Sequence, residues 1–250
     1  MFKFIKKFIS IFLQKKQFIR GEINLNDRKG SLHKAWGHIF SNHLDGDYVE
    51  FGVYQGASFF NSIKIYLEFK NWLKLQLSSK EEWRVNISKQ SPLNKKITFH
   101  GLDTFEGIPK NQENNISFSE GSFKASEEFV KNILKPFQKL NINTILYKGT
   151  FKNSKKKFES NMNNRKISIV NIDCDLEEST VDALNITENF LQIGSILLFD
   201  DYNSFNANEN MGQRKAFSIY RKKSKFKFEQ FYSYHYSGVA FLCIGKTNQL

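Results

Sequence analysis

Acidic residues within or at the ends of short apolar runs are the part of this sequence with chemical content. Glu50 lies inside DYVEFGV, Asp103 closes ITFHGLD, Asp173 closes ISIVNID, and Asp200 and Asp201 close SILLFDD. A carboxylate at the end of a buried strand is partly desolvated, and costs free energy unless it is hydrogen-bonded, paired or metal-bound. Helix N-capping accounts for such acids singly, since Asp173 and Asp201 each stand shortly before a helical stretch. For Asp103, Asp173, Asp200 and Asp201 together that explanation is hard to sustain. Gly52 and Gly56 follow the first run and allow close backbone approach by a ligand. Their spacing is G-x-x-x-G, not the G-x-G-x-x-G of dinucleotide sites. On these residues alone a nicotinamide or flavin site stays open, because an acid after the second strand can hold a ribose in either cofactor class.

The elements that must position these acids alternate. The runs 47–53, 97–103, 144–149, 167–173 and 195–201 are short, apolar and rich in β-branched or aromatic residues, as strands are. Helical periodicity follows the first in ASFFNSIKIYLEF. It recurs at 126–140, where Ser126 is the expected N-cap with Glu127 and Glu128 in the first turn, and at 178–191 and 214–222. Two last apolar segments, 226–232 and 239–244, are joined closely around Ser237 and Gly238 and read as an antiparallel pair. The expected fold is α/β: a Rossmann-like three-layer α/β/α sandwich, with a mostly parallel sheet and an antiparallel C-terminal strand pair. Right-handed crossovers then bring the strand C-termini to one edge, where ligands bind. Residues 70–95 read as an insertion, partly helical, and the polar loop 104–125 is long enough for a lid.

Composition bounds the rest. Of 250 residues, 40% are hydrophobic and 26 are Phe, enough for a sizeable core. Mean hydropathy is −0.48 and no apolar run is long enough to span a membrane. Cys174 and Cys243 form no disulfide framework and have no zinc spacing, so buried free thiols in a reducing cytoplasm are expected. The formal net charge of +12 invites a nucleic-acid surface. Half of that excess falls on residues 1–20, which hold six basic side chains and no acid, and solvated faces are the preferred explanation of the remainder. The chain divides into a basic amphipathic arm, 1–30, and one domain, 31–250. In the arm, Phe2, Ile5, Phe8, Ile9 and Phe12 can share one face, which suits an anionic membrane surface, a cap on the core or a dimer contact. Lysines interrupt the apolar stretch and no cleavage site follows, which argues against a secretory signal. A cytoplasmic protein touching the inner face of the membrane through its arm fits this pattern. Among the histidines, His100 is expected to be a satisfied core residue and His235, in FYSYHYSG, a surface or packing residue. His33, His38 and His43 lack partner acids for a metal site.

VEFGVYQGAS, GLDTFEGIP, IDCDLEEST and LLFDDYNS, in that order, resemble the macrocin O-methyltransferase family of class I S-adenosylmethionine-dependent methyltransferases. The motifs span about two-thirds of the chain; the arm and the 70–95 insertion lie outside them. The resemblance implies that Glu50, Gly52, Gly56 and Ser58 line the methionine end of the cofactor. It implies that Asp103, with Thr104 and Phe105 beside it, receives the ribose hydroxyls, and that Gly149, Thr150 and Phe151 border the adenine. It implies a magnesium ion held by Asp173, Asp200 and Asp201, with Asp173 also the proton acceptor and Asp175 its alternative. The implied reaction is methylation of a hydroxyl on a small-molecule, sugar, nucleotide-sugar or glycan acceptor; the alternatives are a metal-independent methyltransferase on another small acceptor and a nucleic-acid-binding or nucleic-acid-modifying protein using the basic surface, and a homo-oligomer is left open. Leu176 and Glu177 stand where many relatives carry an aromatic residue, so acceptor contacts are expected to differ.

Overall fold

A computed structural model describes residues 27–91, 96–113 and 115–247. The first element is helix α1 (Arg28–Ser41), N-capped by Asp27, whose side chain accepts the Gly30 N–H at 2.6 Å. Then follow β1 (Asp47–Phe51), α2 (Ala57–Gln76), α3 (Glu82–Gln90), β2 (Thr98–Asp103), α4 (Glu127–Gln138), β3 (Asn143–Lys148) and α5 (Phe151–Met162). The remainder is β4 (Ile167–Ile172), α6 (Glu177–Thr187), β5 (Ile196–Phe199), α7 (Gly212–Lys223), β6 (Phe226–Tyr234) and β7 (Gly238–Lys246). One seven-stranded sheet has the order β3-β2-β1-β4-β5-β7-β6. β1 to β5 pair in parallel, and β7 enters antiparallel between β5 and β6. The expected sandwich, with its antiparallel C-terminal pair, is the observed one.

Alternation along the strands divides the core. Tyr48, Phe99, Ile169 and Leu198 point to the layer that holds Trp36 of α1, Ile63 and Tyr66 of α2 and Leu134 of α4. Val49, Val170, Leu197 and Phe241 point to the other, with Phe158 of α5, Leu184 of α6 and Phe217 of α7. Burial on both faces explains why these strands read as continuous apolar runs. Trp36 is completely buried, ringed by Tyr48, Tyr66 and Phe99 at centroid distances of 6.2, 5.1 and 5.9 Å, and donates Nε1–H to Ser62 Oγ (2.9 Å). Burying aromatic side chains of this size stabilises by about 1.5–3 kcal/mol each, so α1 is welded to the sheet.

Ser126 caps α4 as expected, accepting the Phe129 N–H at 3.2 Å. Helix α2 runs through to Gln76 and α3 occupies 82–90, which gives the insertion its helical part. Helices α1 and α5 were not anticipated. α5, FKNSKKKFESNM, carries a thin apolar stripe and buries Phe151, Ser154, Phe158 and Met162 along one face of an otherwise Lys- and Asn-rich helix. The amphipathic arm expected over residues 1–30 lies outside the described residues, save Asp27 and the first turn of α1. Among the described residues no helix is long and apolar enough to cross a membrane.

Candidate active site

The C-terminal ends of β1, β4 and β5 meet at one point of the sheet edge. Gly52 follows β1 in a left-handed conformation (φ +87°), and a Cβ there would lie 1.7 Å from the Asp173 carbonyl oxygen. Only glycine lets the β1 turn pass this close to the backbone that carries Asp173. The Asp173 N–H bonds the Phe51 carbonyl (2.9 Å) and the Asp200 N–H the Ile172 carbonyl (3.1 Å), so strand pairing itself aligns the acids. Gln213 of α7 pins the same corner: Nε2 donates to the Ile172 carbonyl (3.0 Å) and Oε1 accepts the Asp201 N–H (3.0 Å).

Asp173, Asp200 and Asp201 each offer a carboxylate oxygen, and these oxygens lie within 4.8 Å of one another. Burial, then repulsion from Asp200, pushes the Asp173 carboxyl well above the ordinary range. Burial and the adjoining Asp201 raise Asp175 to about 8, and burial with Asp200 raises Asp201 to about 6. Asp201 Oδ1 accepts from Ser204 Oγ (3.1 Å), while its buried Oδ2 finds no hydrogen-bond partner among the described residues. Among the described residues one positive side chain, Arg28, is paired with the cluster through Asp200, and its guanidinium is more than half exposed. Hard oxygen donors in excess of their counter-charge, one of them buried and unpartnered, fit a small divalent cation such as magnesium.

Two cavities meet at these acids. The first, about 470 Å³, is lined by Gly52, Tyr54, Asp103, Thr104, Thr150 and Phe151, together with Asp173, Asp175 and Asp201. Asp103 accepts the backbone N–H groups of Tyr54 (Oδ2, 2.7 Å) and Phe105 (Oδ1, 2.6 Å), which ties the β1 and β2 turns together. Thr150 is the N-cap of α5, its hydroxyl accepting the Asn153 N–H at 3.3 Å, and the Gly149 N–H bonds the Asp103 carbonyl. The second cavity, about 750 Å³, lies on the other side of Gly52 and Asp173, between Ser58 and Asn61 of α2, Arg28, and the β6–β7 turn at His235 and Tyr236. Both cavities are lined by Asp173 and Asp201.

Of the residues expected around a cofactor, Gly52, Asp103, Thr104, Thr150 and Phe151 line the first cavity and Ser58 the second. Glu50, Gly56, Phe105 and Gly149 line neither. Glu50 is fully buried, and its carboxylate accepts hydrogen bonds from the Tyr48 hydroxyl, Ser58 Oγ (2.7 Å) and Asn171 Nδ2 (3.2 Å); burial holds it up at about 7. Gly56 precedes α2 with φ +82° under Val130 and Ile133. From the described parts of the loop, 104–113 and 115–125, Ile108, Pro109, Phe118 and Phe123 line the first cavity. Phe118 packs on Phe205 (5.4 Å), Phe123 meets Tyr54 edge-on (5.7 Å), and Glu113 accepts the Glu177 N–H at the start of α6.

Two site residues lay beyond the sequence reading. Arg28 falls in the stretch assigned to the arm and nothing local marks it. His235, expected at the surface or in packing, instead donates or accepts at Asp200 Oδ1 (3.0 Å) with its side chain only 14% exposed. β7 pairs antiparallel with β5 and so begins where β5 ends, which carries the turn to Asp200; the expected pairing of the last two segments with each other does not by itself fix that. His100 is the satisfied core residue expected, bonded to Tyr147 Oη (2.9 Å) and Asp47 (3.3 Å). Cys174 and Cys243 are buried free thiols.

A family model described as Macrocin-O-methyltransferase (TylF) matches residues 89–239. Solved structures share the fold. The O-methyltransferase NovP aligns at 20% identity with TM-score 0.62, over 87% of this chain and 79% of its own. CalS11, a calicheamicin methyltransferase, aligns at 16% identity with TM-score 0.59, over 97% of this chain and 85% of its own. An O-methyltransferase from Bacillus cereus, in complex with S-adenosylhomocysteine, aligns at 11% identity with TM-score 0.52, over 96% of each chain. No curated protein sequence matches the chain.

Proposed function

The chain belongs to the macrocin O-methyltransferase family of S-adenosylmethionine-dependent enzymes, and from that premise we propose that it methylates a hydroxyl of a sugar, nucleotide-linked sugar or glycan with the help of magnesium. The observation that carries this reading is the trio Asp173, Asp200 and Asp201 at the junction of two cavities. In it the first cavity takes the nucleoside part of the cofactor: Asp103 would receive the ribose hydroxyls, Thr150 and Phe151 would border the adenine, and the methionine end would pass Gly52 toward Ser58 at the wall of the second cavity, with Glu50 buried behind Ser58. The second cavity takes the acceptor. CalS11 is described as a TDP-rhamnose 3′-O-methyltransferase, which favours a sugar there.

The residues divide the work simply. When bound, the sulfonium supplies an activated methyl group, and magnesium held by Asp173, Asp200 and Asp201 lowers the pKa of the acceptor hydroxyl. Gly52 and Asp173 line both cavities, so a cofactor held in the first would adjoin an acceptor hydroxyl held in the second. The hydroxyl proton passes to the carboxylate of Asp173, with Asp175 the neighbouring alternative. The loop 104–125 keeps water from the first cavity through Phe118 and Phe123.

Calorimetry with S-adenosylhomocysteine, with and without magnesium, on wild type and Asp200→Asn tests the assignment. Asp200→Asn is expected to keep cofactor affinity while turnover falls by roughly 100-fold or more, in line with loss of a metal's several kcal/mol of charge stabilisation. Chelation by EDTA should abolish wild-type turnover and added magnesium restore it. Unchanged turnover in Asp200→Asn removes Asp200 from the site.

A further inference from the structure

The turn between β6 and β7 adds a component that the motifs do not contain. β7 pairs with β5 so that Val239 stands opposite Phe199, and residues 235–237 are therefore delivered to the edge that carries Asp200. The backbone there is constrained. His235 is left-handed (φ +36°), the Ser237 carbonyl accepts the Asn203 N–H at 2.9 Å, and a Cβ on Gly238 would meet the Tyr234 ring at 2.4 Å. Within this turn the Ser237 N–H points at His235 Nδ1 (3.2 Å). A backbone N–H can only donate, so Nδ1 presents its lone pair and the ring proton resides on Nε2. Nε2 is the atom that faces Asp200 Oδ1 at 3.0 Å.

We propose that His235 is a positioning residue for Asp200: Ser237 sets the imidazole tautomer, and the Nε2–H so fixed holds one carboxylate oxygen and with it the plane of the group. Both ring nitrogens are then committed, so His235 is not the proton acceptor of the reaction. Asp200 is almost fully buried (3% exposed) and its other oxygen meets Arg28, so its orientation is set by these two side chains from opposite sides. The proposal rests on the reading of the acids as a divalent-cation site, where outer partners that orient a ligand typically matter 10–100-fold for affinity.

Titration of the whole protein with manganese, followed by electron paramagnetic resonance, tests it without turnover. His235→Phe is expected to weaken manganese binding by about 10–100-fold while leaving S-adenosylhomocysteine affinity and the melting temperature close to wild type. His235→Gln, whose amide nitrogen can reach the position of Nε2, is expected to recover most of the loss. Long-range proton–nitrogen spectra of the wild-type imidazole should show the proton on Nε2. Wild-type manganese affinity in His235→Phe overturns the proposal, as does a proton on Nδ1. A wild-type protein that binds S-adenosylhomocysteine but no manganese overturns the cation site instead; the nitrogen spectrum needs no metal and still decides whether His235 holds Asp200.

Discussion

Glu50 offers the most direct test of how this site is built. Its carboxyl is fully buried and, despite three donors from Tyr48, Ser58 and Asn171, burial raises it from 4.5 to about 7. The folded chain therefore keeps a proton that the unfolded chain releases between those values. The group's contribution to stability is complete below pH 4.5, falls as pH rises, and levels off above 7. The gap amounts to a penalty on the order of 3 kcal/mol at pH 8. Glu50→Gln removes the titration and keeps the shape: the amide oxygen can accept from Tyr48 and Asn171, and the amide N–H can turn to Ser58 Oγ. Urea unfolding of the ligand-free protein should find the variant more stable than wild type at pH 8, by an amount of that order, with the difference vanishing near pH 4.5. A buried charge this costly makes sense opposite a cation. S-adenosylhomocysteine, whose α-ammonium can supply one, should accordingly stabilise wild type more than Glu50→Gln at pH 8. A stability difference that does not change with pH refutes the reasoning about burial. Equal stabilisation of both proteins by the ligand refutes the reasoning about its partner.

Two further substitutions probe the scaffold. Gly52→Ala places a Cβ 1.7 Å from the Asp173 carbonyl at a φ of +87°; a loss of roughly 2 kcal/mol or more is expected from strain and displacement together, read as a lower melting temperature accompanied by weaker S-adenosylhomocysteine binding. Arg165→Met strips the guanidinium from Asp47, a completely buried acid that also accepts from the Thr98 N–H (2.7 Å), and should cost about 3–5 kcal/mol at neutral pH. Burial by itself would raise Asp47, but the hydrogen bonds from Arg165, His100 and Thr98 outweigh it and hold the carboxyl below its ordinary value. The stability it confers is present above pH 4 or so and is lost as pH falls through the lowered value, so unfolding curves should converge in acid.

Much of this was legible in the sequence for a definite reason. Strands buried on both faces announce themselves as apolar runs, and a parallel sheet leaves their C-termini no choice but one edge. Asp173, Asp200 and Asp201 could thus be placed together from their positions at strand ends. Glu50 differs because it lies inside β1, one residue short of the end, where pairing on both sides with β2 and β4 encloses it. Helix α5 was illegible because its few apolar residues are spread among lysines and asparagines, although Thr150 and Phe151 at its start were singled out. Arg28 reaches Asp200 only because Trp36, two turns further along α1, locks that helix against the sheet, and a contact across 172 positions has no local trace. The place of His235 was illegible because a hairpin fixes only how β6 and β7 run relative to each other, while the pairing of β7 with β5 that brings the turn to Asp200 is a long-range contact with no local trace.

The path of the chain also has a practical side. Asp27 and Arg28 stand at the wall of the second cavity. β7 then carries the backbone the length of the sheet, and Thr247 leaves beside Lys225 at the far rim. A label on Thr247 itself is therefore remote from the acids, whereas one on Asp27 stands at the wall of the cavity proposed for the acceptor.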